Sequence, residues 1–215
     1  MKWTEQFKTG MGRYFLARKI RSLDRKVHAC NLGNARQIGI IYNATEYISF
    51  EIIRDLVRTL SEKSEKVSVL GYVDSKKLID HYLYRKGFDF FSRSDLNWYY
   101  KPISPAAVQF MNEPFDLLMD LSLDDHFPIR YITSVSPSTF KAGRFMPEDE
   151  TLDFMIDIEK EKQSIRALHE EITRETNPKG EKKELEADME LSTEKELQLK
   201  FLINQMIHYL SLINA

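Results

Sequence analysis

Three short runs limit what this chain can become. "QIGIIY" (37–42), "KVSVLGYV" (66–73) and "FDLLMDLS" (115–122) are almost continuously apolar and are bounded by polar residues. A strand with one wet face alternates apolar and polar side chains, so runs without alternation predict strands covered on both faces. Helical period fills the intervals. Ile48, Ile52, Ile53, Leu56, Val57 and Leu60 recur at spacings of three and four over 45–62. Further helices are predicted at about 75–86, at 104–112 with Ser104 as N-cap and Pro105 at the first helical position, and at 128–135. Short strands are expected at 88–92, 140–145 and 152–158. Strands and helices alternating in this way give an α/β fold: a three-layer, Rossmann-like, doubly wound parallel sheet of about five or six strands in the order 3-2-1-4-5-6.

Two appendages flank this core. In residues 1–28, Trp3, Phe7, Met11 and Phe15, then Leu16, Ile20, Leu23 and Val27, are spaced by three or four with basic residues between them. The pattern predicts a basic amphipathic helix, weakened by Gly10 and Gly12. This segment carries +6 and the remaining chain −8. Its apolar stripe is expected to pack on the domain or a second copy; an anionic membrane surface, a partner protein or RNA are the alternatives. Arg13, Arg18, Lys19 and Arg21 are its candidate interaction residues. At the other end, apolar period returns at Thr193 and predicts a docking helix over 193–213, with Ser192 or Thr193 and Glu196 forming a capping box. Between them, 159–192 is strongly charged, contains "NPKG", and predicts a flexible insertion. The domain proper is then 36–158 plus 193–213.

A formal charge of −2 and a pI near 6.2 do not suit a surface built to neutralise phosphates, so no specific nucleic acid is expected. One cysteine, Cys30, cannot form an intramolecular disulfide and fits a reducing cytoplasm. The N-terminus lacks the apolar core of a secretory signal, and no run reaches the roughly eighteen apolar residues of a spanning helix. A cytoplasmic protein is expected, with a peripheral position at the inner face of the membrane as the alternative.

Ligands of open parallel sheets bind outside the carboxyl ends of the strands. That rule selects Asn43, Ala44 and Thr45 after the first strand, Asp74, Ser75 and Lys76 after the second, Ser92 and Arg93 after the third, Ser122, Asp124, Asp125 and His126 after the fourth, and Arg144 after the fifth; Asn43, Thr45, Asp74, Ser75, Ser122, Asp125, His126 and Arg144 are the ligand-binding candidates. A dinucleotide or triphosphate site would need closely spaced glycines in the first turn, and "IYNATEYISF" has none. No cofactor is predicted. The spacing of Asp120, Asp124, Asp125 and His126 matches no metal-ligand motif. A His126/Asp125 pair suits general acid/base work, but Ser122 lacks the glycines of a nucleophile elbow, so no catalytic residue is assigned. The preferred reading of "LDDHFP" is a loop whose Asp124 or Asp125 caps the next helix. In "DLNWYY", Trp98 and Tyr99 are recognition candidates, with covering a sheet edge as the preferred role.

The stretch "FDLLMDLSLDDHFPIRYITSVSPSTFKAGRF" resembles part of the acceptor half of heptosyltransferase-type glycosyltransferases, through Phe115, Asp116, Asp120, Leu121, Gly143, Arg144 and Phe145. The glycine- and proline-bearing first loop and the nucleotide-sugar domain of those enzymes have no counterpart, so the resemblance implies only a Rossmann-like architecture. Over about 12–213, apart from the charged stretch 159–190, and through "IGIIYNAT", "LGYVDSKK", "FDFFSRSDLNWYYKP", "FDLLMDLSLDDHFPIRYI", "KAGRF" and "INQMIHYLSLIN", the chain is similar to a bacterial family of small proteins of unknown function. That resemblance implies one domain and no activity.

Two functions are weighed. The favoured one is a non-enzymatic interaction or scaffold module that uses the basic helix to hold a protein partner or membrane surface; a homodimer is compatible with it. The alternative is a small enzyme or sensor binding a phosphorylated or sugar-nucleotide-like ligand at the strand edge. The balance leans against an enzyme.

Overall fold

The computed structural model describes residues 2–76, 87–147, 151–165, 167 and 184–214. In chain order the elements are α1 (Lys2–Ile20), β1 (Gln37–Asn43), α2 (Tyr47–Ser61), β2 (Lys66–Val73), β3 (Phe88–Ser92), α3 (Pro105–Asn112), β4 (Leu117–Asp120), α4 (Phe127–Val135), β5 (Phe140–Arg144), β6 (Phe154–Ile156) and α5 (Glu184–Leu212). The six strands form one parallel sheet in the order β3-β2-β1-β4-β5-β6, as expected from the sequence.

Alternation along each strand feeds two cores. Ile38, Ile40 and Tyr42 of β1 and Leu117 and Met119 of β4 join Phe50, Ile53 and Leu56 of α2 and Leu199, Leu202 and Met206 of α5. Ile41 and Leu118 face the other way, onto Phe110 of α3, Ile129 and Ile132 of α4, and Leu16 of α1. Both faces of β1 and β4 are therefore dry, which explains the absence of a polar alternation in their sequences. Gly39 lets the ring of Phe115 lie flat on β1: a Cβ there would stand 2.6 Å from that ring.

Four local expectations change. The first helix ends at Ile20 rather than Val27 or His28 because the Ser22 hydroxyl donates to the Lys19 carbonyl (2.7 Å) and the Leu23 N–H to the Ile20 carbonyl (3.0 Å). The chain beyond is irregular and tied down by Arg25, whose Nε donates to the Ser138 carbonyl at 2.5 Å and whose Nη atoms bind Asp153. Gly12 is a contact point rather than a weakness, since a Cβ there would meet the Tyr99 carbonyl oxygen at 2.6 Å and the Phe127 ring at 2.9 Å. The inward stripe is also narrower than its period suggested, with Phe7 58% and Val27 50% exposed.

The last change concerns α5. It begins at Glu184, so Ser192 and Thr193 lie inside it and form no cap. "ELEADMEL" consists almost wholly of good helix formers, which carry the helix upstream of its apolar face. Residues 159–165 are helical. The rest of the expected flexible insertion up to 183, and most of the helix expected at 75–86, lie outside the described residues. Ser104 caps α3 as anticipated, its side chain accepting the Ala107 N–H.

Candidate functional site

Strand order reverses at β1, which pairs with β2 on one side and β4 on the other, so the loops after these strands diverge around one crevice. Four of the expected residues form a continuous polar chain there. Thr45 donates to Asn43 Oδ1 from both its N–H (3.0 Å) and its hydroxyl (2.6 Å). The Thr45 hydroxyl in turn accepts the Asp74 N–H at 2.9 Å. With Oδ1 occupied, the Asn43 amide faces His126 Nε2 at 2.8 Å as a donor. Neutral His126 consequently carries its proton on Nδ1.

Asp74 closes this chain. Its carboxylate accepts from Tyr72 Oη (2.8 Å) and, bidentately, from Arg93 Nε (2.6 Å) and Nη2 (2.8 Å). The Arg93 hydrogen bonds hold the Asp74 carboxyl below its ordinary range. Burial, and then the bond to Asp74, push the Tyr72 phenol upward. Ser75 is fixed through its backbone, its N–H on the Val73 carbonyl (2.7 Å) and its carbonyl on the Arg93 N–H (2.9 Å). Asn43, Thr45, Asp74 and His126 are thus brought together, but they satisfy one another and tie four strand ends. Arg93, which the strand-end rule selects after the third strand, and Tyr72, which it does not, anchor the chain.

The loop after β4 departs from the sequence reading. The N-cap of α4 is His126, with no side-chain capping bond. Asp125 bridges forward to Arg130 Nη2 at 2.6 Å, and Asp124 lies 3.9 Å from Lys195 Nζ, so neither aspartate caps α4. Nor does Asp125 pair with His126. The reason is reach: Arg130, one turn into α4, offers Asp125 a full charge where the helix end offers partial ones.

Asp120 Oδ1 accepts the Ser122 N–H at 3.0 Å, and Oδ2 the Thr133 hydroxyl at 3.4 Å. Asp120, Ser122, Asp124, Asp125, His126, Ile129, Arg130, Arg144 and Met146 together line a small depression that opens to solvent. A second small depression lies between Asn43, Glu46, Asp124 and Lys195, where Lys195 Nζ bonds Glu46 at 2.5 Å. Among the described residues no group of three or more His, Cys, Asp and Glu side chains is placed to hold a metal ion.

The aromatic connection serves α1. Asn97 Oδ1 accepts the N–H groups of Tyr99 (3.1 Å) and Lys101 (2.9 Å), winding 97–101 into a tight turn that places Tyr100 at φ 66°. Tyr99 then stacks on Phe15 with ring centroids 4.8 Å apart, and the Tyr100 hydroxyl donates to Glu5. Burial, followed by the bond to Glu5, pushes the Tyr100 phenol up to about 12. Tyr99 is therefore a docking residue for α1 rather than a free recognition residue; Trp98 is 54% exposed.

The sequence of a family of unknown function (DUF6913) matches residues 8–174. The chain belongs to this family. The matched span includes most of α1, all six strands and every edge residue except Lys195, and it ends before α5. No curated protein and no solved structure matches the chain. Nothing supports the local likeness to heptosyltransferase-type enzymes, and the residues that suggested it have structural uses: Asp116 accepts the N–H groups of Arg36 and Gln37 at 2.9 Å each, and Phe115 fills the core. No helix among the described residues is long and apolar enough to cross a membrane.

Proposed function

We propose that this chain is a non-enzymatic interaction module that presents the outward face of α1 to an acidic protein surface. The observation that carries this reading is the one-sided docking of α1. Gly12, Phe15 and Leu16 hold the helix to Tyr99, Phe127 and the core beneath, while Arg13, Arg18, Lys19 and Arg21 remain exposed. Phe7 and Tyr14 stand among them, 58% and 60% exposed. No described residue pairs with any of the four cations. Exposed cations interleaved with aromatic rings are a recognition chemistry for carboxylate-bearing surfaces, where arginine forms bidentate contacts and the rings supply contact area.

A protein fits this face better than a membrane. An interfacial helix buries a continuous apolar face among the lipids, whereas α1 spends Leu16 on its own domain and shows solvent only separated rings. An extended polyanion would also meet the −8 of the remaining chain.

The test is reversal of Arg13, Arg18 and Arg21 to Glu, which leaves Gly12 and Leu16 in place and so spares the docking of the helix. The tagged protein, at native level in its own cells, is sedimented in low and high salt. The wild type is expected to migrate well above its 25.3 kDa and to fall toward it in high salt, and the reversed protein to migrate as the free chain in both. Identical migration of the two proteins contradicts the proposal.

A further inference from the structure

Around the depression behind the β4–α4 loop lie three polar groups that no described residue satisfies. Ser122 is only 7% exposed, and its Oγ has no hydrogen-bond partner among the described residues. Arg130 Nε and Arg144 Nε are likewise buried and unpartnered. All three residues line the same depression, although they come from three places: the end of β4, the first turns of α4 and the end of β5. Leaving one such group dry costs about 1–3 kcal/mol, and more for a charged one, so three in one concavity are a feature to be explained. The N-terminus of α4 adds its free N–H groups, because His126 supplies no capping side chain.

We infer that this depression is a binding site for a small tetrahedral oxyanion, inorganic phosphate or the phosphoryl end of a small molecule. Two guanidinium Nε–H groups and the helix terminus are pure donors, and the Ser122 hydroxyl can donate as well. Their common partner must be rich in acceptors. Donor residues drawn from three elements around one depression suit a group with three or four oxygens better than a planar carboxylate with two.

The carboxylates nearby do not oppose this. Asp125 occupies Arg130 Nη2 and leaves Nε turned elsewhere. Asp120 is committed to the Ser122 N–H and the Thr133 hydroxyl, and Asp124 is exposed on the side of Lys195. The lining sets three carboxylates against two guanidiniums, so recognition rests on directed hydrogen bonds and not on net charge. The site is separate from α1 and requires no reaction.

The test uses the whole chain and inorganic phosphate, read by isothermal titration and by the unfolding midpoint, against chloride and acetate at matched ionic strength. Wild type is expected to show saturable binding of phosphate, and no saturation with chloride or acetate. Arg144→Gln and Ser122→Ala should each weaken phosphate binding about tenfold or more, the loss typical of one hydrogen bond to a charged group. Ser122→Ala also checks folding: it removes an unsatisfied hydroxyl, so its midpoint without phosphate should equal or exceed that of wild type. Absence of saturation with phosphate, an equal response to acetate, or unchanged affinity in both variants would overturn the proposal and leave the three groups simply hydrated.

Discussion

Replacing Gly12 and Gly10 separately by Ala asks whether α1 is docked as described. On a free helix both changes stabilise, because Ala is favoured over Gly by about 1 kcal/mol at a helix interior. The surroundings of the two positions differ. A Cβ at Gly10 meets nothing within 4 Å, so Gly10→Ala should keep most of that gain. A Cβ at Gly12 would lie 2.6 Å from the Tyr99 carbonyl, where ordinary contact begins at 3.4 Å. The turn holding that carbonyl is pinned by Asn97 and strained at Tyr100, so it cannot easily retreat. Overfilling a close contact costs about 1–3 kcal/mol, which outweighs the helical gain. Gly12→Ala is therefore expected to lose about 1–2 kcal/mol, and Gly10→Ala to gain about 0.5–1 kcal/mol. In a domain of this size the midpoints should shift by about −2 to −8 °C and +1 to +4 °C respectively. Thermal melts by circular dichroism, with urea titrations to confirm the sign, suffice. Equal stabilisation by both changes would mean that α1 stands away from the domain, and the reasoning about its exposed face would fail.

Two other perturbations probe the framework. Asp74→Asn leaves one acceptor oxygen but removes the charge and the second acceptor that hold Arg93, and should cost about 1–2 kcal/mol at neutral pH, a figure kept low because Arg93 is 55% exposed. Since the folded Asp74 carboxyl titrates below its ordinary value of 3.8, its contribution is present above that pH and fades as pH falls through the folded value. The stability gap between wild type and Asp74→Asn should close in urea titrations below about pH 4; a gap independent of pH would contradict this. Arg25→Met keeps the aliphatic stem but breaks an ion pair whose side chains are each 14% exposed, together with bonds to the Ser138 and Thr139 carbonyls. A loss of about 2–4 kcal/mol is expected in the same titrations, and a loss under about 0.5 kcal/mol would show that residues 21–28 are not anchored there.

The sheet was legible because its strands are buried on both faces, and that condition writes itself into composition: β1 and β4 have no polar residue between Ile38 and Tyr42 or between Leu117 and Met119. The carboxyl edge was legible as a place, since topology alone selects it. What each residue does there was not. Asp125 looked like a cap and turned out to serve Arg130, because a side-chain choice between two nearby donors depends on distances that spacing does not encode. Arg130 itself is one charged residue in the apolar first half of α4, "FPIRYI", and only the packing of α4 brings it to the depression. Gly12 was misread for the same reason: its value lies in a loop 87 positions away whose carbonyl comes to rest against it. The extension of α5 back to Glu184, by contrast, was present in local propensity and was masked by the charge of that stretch.

The central claim is that the outward face of α1 is where a partner sits. Placing a photoreactive amino acid at Tyr14 in the whole chain, in its own cells, tests it most directly, with Val108 on α3 as a control that is 38% exposed on another element. The account expects one discrete cross-linked product from position 14, none from 108, and loss of that product when Arg13, Arg18 and Arg21 are changed to Glu. A product that survives the charge reversal, or the same products from both positions, would contradict it.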